Sequence, residues 1–573
     1  MLQNKTQALP TGIDSFREIR EEDYYYVDKT LMIKDFLAYK NKVTLITRPR
    51  RFGKTLNMTT LRDFFDLLQD SKEIFSGLDI MDTEYANLIN SRPTVFLTFK
   101  NCSGVDIEAL KVSLAHVVKE AYYKYAEIFA DKVNQQDFKY HEFYQILLAF
   151  QEMDTFEKDA EKKINSDTLK RSLLVLIQVL SKFYQLPVLL LIDEYDQPLL
   201  EAHNFGFRKA FSEEIYGSFL GDALKGNESL GQSLLTGIQR VAKESIFSKL
   251  NNISVYTVVD HFYASYFGLT EAETKLALED NNLVFIDEVK NYYDGYNIGG
   301  VEVYNPWSIL KYITKKKLDP FWINTSTNLL IRQLILKAQP DFQEDFEELI
   351  MNGMVEVSAN LEASFIELDT SATLWGLLIN AGYITVVENI STRYYIVRIP
   401  NHEVKEEFCA IVGLYTNTRG DHLQTLFNAL FNKDMSRFLK QYRRIIQNHV
   451  SFHDAPADEE NKLAENSFHM LFLGMAISTT GMYKIKSNRE TGDGRSDIVM
   501  TSLQPTERPH IIVEFKRGEN LSSVAQEALD QIFKKRYYTE LSGNVLCVGV
   551  AHDKKKCELL SREVRVNKYG DLI

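Results

Sequence analysis

The tightest constraint on this chain is the segment that begins at Val43. Val43-Thr-Leu-Ile-Thr47, β-branched and largely apolar, reads as a buried strand. It stops at Arg48-Pro-Arg-Arg-Phe-Gly-Lys-Thr55, and a helical pattern follows from Thr55 to Leu68. The same alternation continues along the first third of the chain. Thr94–Phe99, Val188–Ile192 and Ser233–Thr236 read as strands, with helices between them such as Ile107–Ala126 and Thr168–Tyr184. Strands of this kind alternating with long helices imply a parallel sheet covered on both faces, an α/β fold.

After about Thr270 the strand signal fades. Glu271–Tyr293 and Pro306–Ile313 read as helical, and Trp375–Val387 as a helix passing into a strand at Gly382, with Tyr383–Val387 and Tyr394–Ile399 forming a hairpin. Pro400-Asn401 marks a boundary, helices cover Leu423–Gln447, and the acidic stretch His453–Asn461 is a linker or loop. Beyond it the expected order is helix (Leu463–Ser478), three strands (Tyr483–Ser487, Ser496–Met500, His510–Phe515), helix (Val524–Tyr538) and strand (Val545–Ala551).

At 573 residues the chain has length for three or four domains of about 100–200 residues each. Its 45% hydrophobic and 25% charged residues exclude disordered and fibrous classes. The apolar runs Leu186–Ile192 and Met470–Ile477 fall well short of the roughly 20 residues of a membrane helix. No apolar segment follows Met1, and Cys102, Cys409, Cys547 and Cys557 make no CxxC pair, so the expectation is a cytoplasmic protein with no disulfide framework or zinc knuckle. The net charge of −13 argues against a chain that coats nucleic acid. From Asn461 onward, however, 17 Lys and Arg face 14 Asp and Glu, which makes this end the better candidate for phosphate contact.

A strand, a loop carrying Gly53-Lys54-Thr55 and a helix are what a phosphate-binding loop requires. Backbone amides at the helix N-terminus face the anion, Lys54 reaches the β- and γ-phosphates, and the Thr55 hydroxyl holds Mg²⁺. Arg48, Pro49, Arg50, Arg51 and Phe52 complete the loop, with Arg48 where the usual pattern has glycine. The run Val188–Ile192 ends in Asp193-Glu194. Asp193 suits the metal and Glu194 the attacking water, although a strand ending in solvated acids would look alike. Thr236 and Arg240, at and after the fourth strand, suit a γ-phosphate sensor and a charge-stabilising arginine acting in cis or in trans; a capping threonine and a surface arginine fit equally.

A second cluster lies near the C-terminus. Asp497 is on one strand and Glu514-Phe-Lys516 at the end of the next, where the two-residue pleat puts Glu514 and Lys516 on one face. Two carboxylates make a hard-oxygen site for Mg²⁺ or Mn²⁺, and a neighbouring lysine can orient water. Glu465, on the preceding helix, can add a third acid, and Gln531 borders the site from the following helix. An ion-paired strand edge is the alternative.

Leu9-Pro-Thr-Gly-Ile13, Tyr26-Val-Asp-Lys-Thr30, Arg48–Thr55, Leu235-Thr-Gly-Ile238, Ala242-Lys-Glu-Ser-Ile-Phe-Ser248, Tyr293-Asp-Gly-Tyr296, Tyr304-Asn-Pro-Trp307 and Trp322-Ile-Asn-Thr325 together resemble a prokaryotic family of AAA-ATPase-like proteins with a C-terminal PD-(D/E)XK nuclease-like domain. Arginine at position 48 is usual in that family. The resemblance implies an AAA+-like nucleotide-binding core over 1–270 and a helical lid with a winged-helix-like segment over 271–410. A helical connector over 411–460 and a restriction-endonuclease-like α/β domain over 461–573 would follow. Glu465, Asp497, Glu514, Lys516 and Gln531 align with the nuclease pattern. The expected function is ATP binding and hydrolysis controlling a metal-dependent nuclease on nucleic acid, DNA before RNA, in defence or mobile-element biology. A nucleotide-dependent homo-oligomer without membrane attachment is expected as well. The competing reading is a nucleotide switch that binds a partner or nucleic acid without cutting; a metabolic kinase fits poorly with the appended C-terminal domain.

Overall fold

The computed structural model describes residues 7–573 apart from 131, 134–136, 156–163, 241–252, 323–340, 343–344, 347, 350–352, 363–369, 407, 409–419, 450–471, 473–474, 477–478, 480–481, 492–493 and 554–555. The chain forms two compact units. Met1–Trp322 with Val357–Ile396 make the first, and Ile323–Glu356 with Val397–Ile573 the second. Among the described residues no helix is long and apolar enough to cross a membrane.

The first unit is built on a parallel sheet of β1 (Val43–Thr47), β2 (Thr94–Thr98), β3 (Val188–Asp193), β4 (Leu230–Gly237) and β5 (Ile253–Tyr256) in the order β2-β3-β4-β1-β5. Every residue of β1 and β3 is buried, the threonines of β1 and Asp193 of β3 included. Helices Ile107–Phe129 and Ser166–Tyr184 pack Leu110, Leu114, Leu173 and Leu176 into the same core. Asp106 and Asn165 start these helices by accepting amide hydrogen bonds from Ala109 and from Asp167 and Thr168. Each buried leucine or valine contributes about 1.5–3 kcal/mol relative to exposure. Val188–Ile192 therefore easily carries the cost of ending β3 in the buried carboxylate of Asp193. Because β4 lies between β1 and β3, residues at its C-terminal end come between the ends of the other two strands.

The stretch expected to be helical over Glu271–Tyr293 is interrupted. Helix Glu271–Asp280 opens with a Thr270/Glu273 capping box and ends before Asn282, which sits at φ 58°; a separate helix spans Asp287–Tyr293. A small antiparallel sheet of β6 (Leu269–Thr270), β7 (Tyr296–Ile298) and β8 (Val301–Tyr304), in the order β6-β8-β7, lies where the strand signal had faded. Its β7–β8 hairpin turns on Gly299-Gly300, both at positive φ, a two-residue turn that suits the twist of the strands. Helix Ser371–Ala381 stops at Gly382 and leads into a hairpin of Thr385–Ser391 and Tyr394–Arg398.

The second unit carries a mixed sheet of strands Tyr483–Thr491, Gly494–Ser502, His510–Arg517, Gly543–Asp553 and Lys556–Val566, adjacent in that order. Only His510–Arg517 and Gly543–Asp553 run parallel, and helix Leu521–Lys534 makes the crossover between them. Along His510–Arg517 the pleat sends Ile511, Val513 and Phe515 to a core shared with Phe438, Tyr442 and Ile446 of helix Met435–His449. Ile512 joins the opposite core with Leu529 and Ile532 of the crossover helix. Glu514 and Lys516 continue the Ile512 row. That helix packs so closely that a Cβ on Gly549 would lie 2.4 Å from the Ala525 carbonyl oxygen.

Candidate nucleotide and metal sites

At the C-terminal edge of the first sheet three strand ends converge. Gly53, at φ 83°, turns the chain into helix Lys54–Phe65. Asp193 is fully buried and its two carboxylate oxygens accept from two hydroxyls, Thr55 Oγ1 at 2.7 Å and Thr236 Oγ1 at 2.6 Å. Parallel register makes this possible: Ile46 pairs with Thr236 and Leu235 with Ile192, so the ends of β1, β4 and β3 come together. A hydroxyl and a carboxylate in contact are a hard-oxygen pair of the kind that suits Mg²⁺. Lys54 is buried and donates to the carbonyls of Arg48 (3.0 Å) and Pro49 (2.8 Å), spanning the loop with one of its three N–H donors left over. Burial lowers its pKa, and Glu194, Asp193 and Asp196 oppose the shift.

Glu194 follows β3 in the left-handed region at φ 51°, a conformation costly for a residue with a side chain and concentrated at functional sites. Its pKa is raised, by burial first and by the charges of Asp193 and Asp196, with Lys54 and Arg50 opposing. Asp196 is buried and accepts from the amides of Ile238 and Gln239, both at 2.9 Å, which pins the chain just before Arg240. This clamp depends on a contact across 42 residues that no local pattern reveals. Arg240 is ion-paired with Glu362 of the same unit.

The loop arginines differ in what they touch. Arg48 is buried and donates to the carbonyls of Thr47, Tyr256, Thr257 and Phe262. Burial pulls its pKa down to about 9, Asp260 opposing, so it stays charged at neutral pH. Its side chain ties the loop to the chain after β5. Arg51, at φ 67°, donates to the carbonyls of Phe321 (2.8 Å) and Trp322 (3.3 Å), with its guanidinium 4.5 Å from the Trp307 ring centroid. Trp322 Nε1 donates to the Arg50 carbonyl, and Tyr296 meets Phe52 edge-on at 5.0 Å. Tyr296, Trp307 and Trp322, one from each of three of the motifs, thus contact the Arg48–Thr55 loop.

An apolar cleft of about 90 Å³, open to solvent, adjoins the loop at Phe52, Gly53 and Leu56. Pro10, Tyr25 and Tyr26 line it from the N-terminal segment, and Tyr266, Leu269 and Leu310 from the other side. Lys29 holds these two walls together through Glu273 (2.6 Å) and the Ser265 carbonyl (2.7 Å). Pro10 of the Leu9–Ile13 motif and Tyr26, Val27 and Lys29 of the Tyr26–Thr30 motif thus line this cleft.

In the second unit, Asp497 and Glu514 are interlocked across neighbouring strands. Asp497 Oδ2 accepts from the Phe515 amide at 2.7 Å, and Glu514 Oε2 from the Asp497 amide at 3.2 Å. Gln531 Nε2 donates to Glu514 Oε1 and, at 3.2 Å, to the hydroxyl of Tyr537, a residue sequence reading did not single out. Burial raises the Tyr537 pKa, which keeps that hydroxyl neutral. Lys516 is partly exposed on the same row as Glu514. Glu465 lies outside the described residues, and among the described residues no group of three or more His, Cys, Asp or Glu is placed to hold a metal. Two carboxylates suit a Mg²⁺ or Mn²⁺ that keeps several waters.

Residues 10–247 match a family described as Predicted AAA-ATPase, and residues 463–561 match the PD-(D/E)XK nuclease superfamily. The chain is also similar to a curated relative from Azotobacter chroococcum mcd 1, described as "Uncharacterized protein in vnfD 5'region". The two are 28% identical over 409 residues, 70% of this chain and 68% of that protein.

Proposed function

We propose, for a chain that joins an AAA-ATPase-like domain to a C-terminal PD-(D/E)XK nuclease-like domain, that it binds and hydrolyses ATP and so controls metal-dependent cleavage of nucleic acid, DNA first. The observation that carries the ATPase half is the convergence of Thr55 and Thr236 on the buried Asp193 carboxylate, beside Lys54 and Glu194. The loop amides and the remaining N–H of Lys54 bind the phosphates, and the adjoining apolar cleft takes the base. Thr55 and Asp193 hold Mg²⁺, which neutralises phosphate charge when bound. Glu194 takes the proton of the attacking water, and a raised pKa makes it a stronger base. ATP-dependent homo-oligomerisation, with Arg240 leaving Glu362 to meet a neighbour, belongs to the same proposal. So does a role in defence or mobile-element biology.

In the nuclease-like unit Asp497 and Glu514 hold the cation, Lys516 orients water or phosphate, and Gln531 keeps Glu514 in place. The competing reading, binding without cutting, is supported by the engagement of both carboxylates with backbone amides. Incubating plasmid with protein, Mg²⁺ or Mn²⁺, and ATP separates the two. Nicked or linear product is expected from wild type and none from Asp497→Ala, with Lys54→Ala losing the ATP dependence. Intact plasmid and intact RNA under every metal and nucleotide condition would leave the switch.

A further inference from the structure

We propose that Arg50 supplies, from within the same chain, the positive charge that stabilises the γ-phosphoryl group of ATP during transfer. The inference rests on the ATPase reading above. It starts from the unequal fates of the arginines around the site. Arg48 is engaged by four backbone carbonyls, Arg51 by two carbonyls and the Trp307 ring, and Arg240 by Glu362. The Arg50 guanidinium alone among these has neither a hydrogen-bond acceptor nor an ion-pair partner among the described residues. Its Nε, like that of Arg48, is shielded from solvent without an acceptor, but Arg48 is held through its other nitrogens and Arg50 is not.

A shielded N–H donor without an acceptor is unfavourable, and a bound anion relieves it. The position of Arg50 indicates which anion. It lies in the loop that wraps the β- and γ-phosphates, four residues before Lys54, and its charge acts on both Lys54 and Glu194, the phosphate-binding lysine and the base. In hydrolysis the water oxygen bonds to the γ-phosphorus while the bond from that phosphorus to the β–γ bridging oxygen breaks. ADP keeps the electron pair, the water proton passes to Glu194, and inorganic phosphate forms. Charge develops on the bridging and γ-oxygens, where a planar guanidinium offers parallel donors. An arginine in this role acts without a neighbouring subunit, as a cis rather than a trans device.

The test begins with the wild-type chain, whose failure to hydrolyse ATP would refute the ATPase reading itself. Given turnover, Arg50→Ala should keep ADP affinity within about threefold by calorimetry, while single-turnover hydrolysis falls on the order of 10³-fold, the scale of arginine fingers. Should Arg50→Ala not fold by circular dichroism, Arg50→Gln, which keeps length but not charge, must give the same split. Mixing the Arg50 variant with Lys54→Ala should restore no activity, because both residues serve one site of one chain. Near wild-type turnover, an ADP affinity that falls as far as the rate, or recovery on mixing would each overturn the assignment.

Discussion

At the residue scale, Glu194 shows how position rather than type sets the chemistry. Asp193 and Glu194 are consecutive acids, yet one is buried under two hydroxyls and the other turns out at positive φ with a raised pKa. Glu194→Gln keeps shape but accepts no proton, so ATP should still bind while turnover drops on the order of 10²–10⁴-fold, read by steady-state phosphate release. The same variant tests the electrostatics. A carboxyl whose folded pKa is raised penalises the fold once it ionises, so wild type loses stability relative to Glu194→Gln as pH rises past the ordinary glutamate value of about 4.3. Thermal melts at pH 4 and pH 8 should show the gap opening at the higher pH. An unchanged gap would mean that the carboxylate is already compensated by Lys54. The acid pair was visible in the sequence; the bonds dividing its roles run between positions 138 and 43 residues apart and were not.

Among the elements, the Arg48–Thr55 loop is held from several directions by aromatic and arginine contacts, and two of the chain's three tryptophans touch it. Trp307 lies under Arg51 and Trp322 donates to the Arg50 carbonyl, so filling the loop alters the surroundings of both indoles. Intrinsic fluorescence should therefore change on adding ATP or ADP to wild type. Lys54→Ala, lacking the phosphate contact, should show no saturable change. A saturable signal of wild-type size in that variant would separate the tryptophans from the loop. Element boundaries were legible where a short buried-strand run or a strong apolar periodicity marked them, as for β1 and β3 and for helix Ser166–Tyr184. Strands of two to four residues, such as β6, β7 and β8, are too short to establish a period. Lys556–Val566 escaped notice because it is an edge strand whose alternation is crowded with charge, which protects an edge but resembles a surface helix.

For the whole molecule, the chain forms two compact units, with Asp193 in the first and Asp497 in the second. Asp497→Ala should thus abolish metal-dependent cleavage while leaving ATP turnover within about twofold. Cleavage by wild type should fall as salt rises from about 50 to 200 mM, since phosphate contact by the weakly basic C-terminal part is screened. Loss of both activities in Asp497→Ala would make the two sites one cooperative system. The sequence by itself established the α/β class, the loop and its acidic partner, and the Asp–Glu-x-Lys row, because these depend on local periodicity and on residue types adjacent in the chain. Whether Arg48, Arg50 and Arg51 serve the ligand or the fold was not readable there. Three arginines in a row of four are equivalent until distant carbonyls at 256, 257, 262, 321 and 322 engage two of them and not the third. Hydrogen-bond partners are set by which backbone groups the folded chain brings within reach, and that is a property of the packed molecule rather than of any segment.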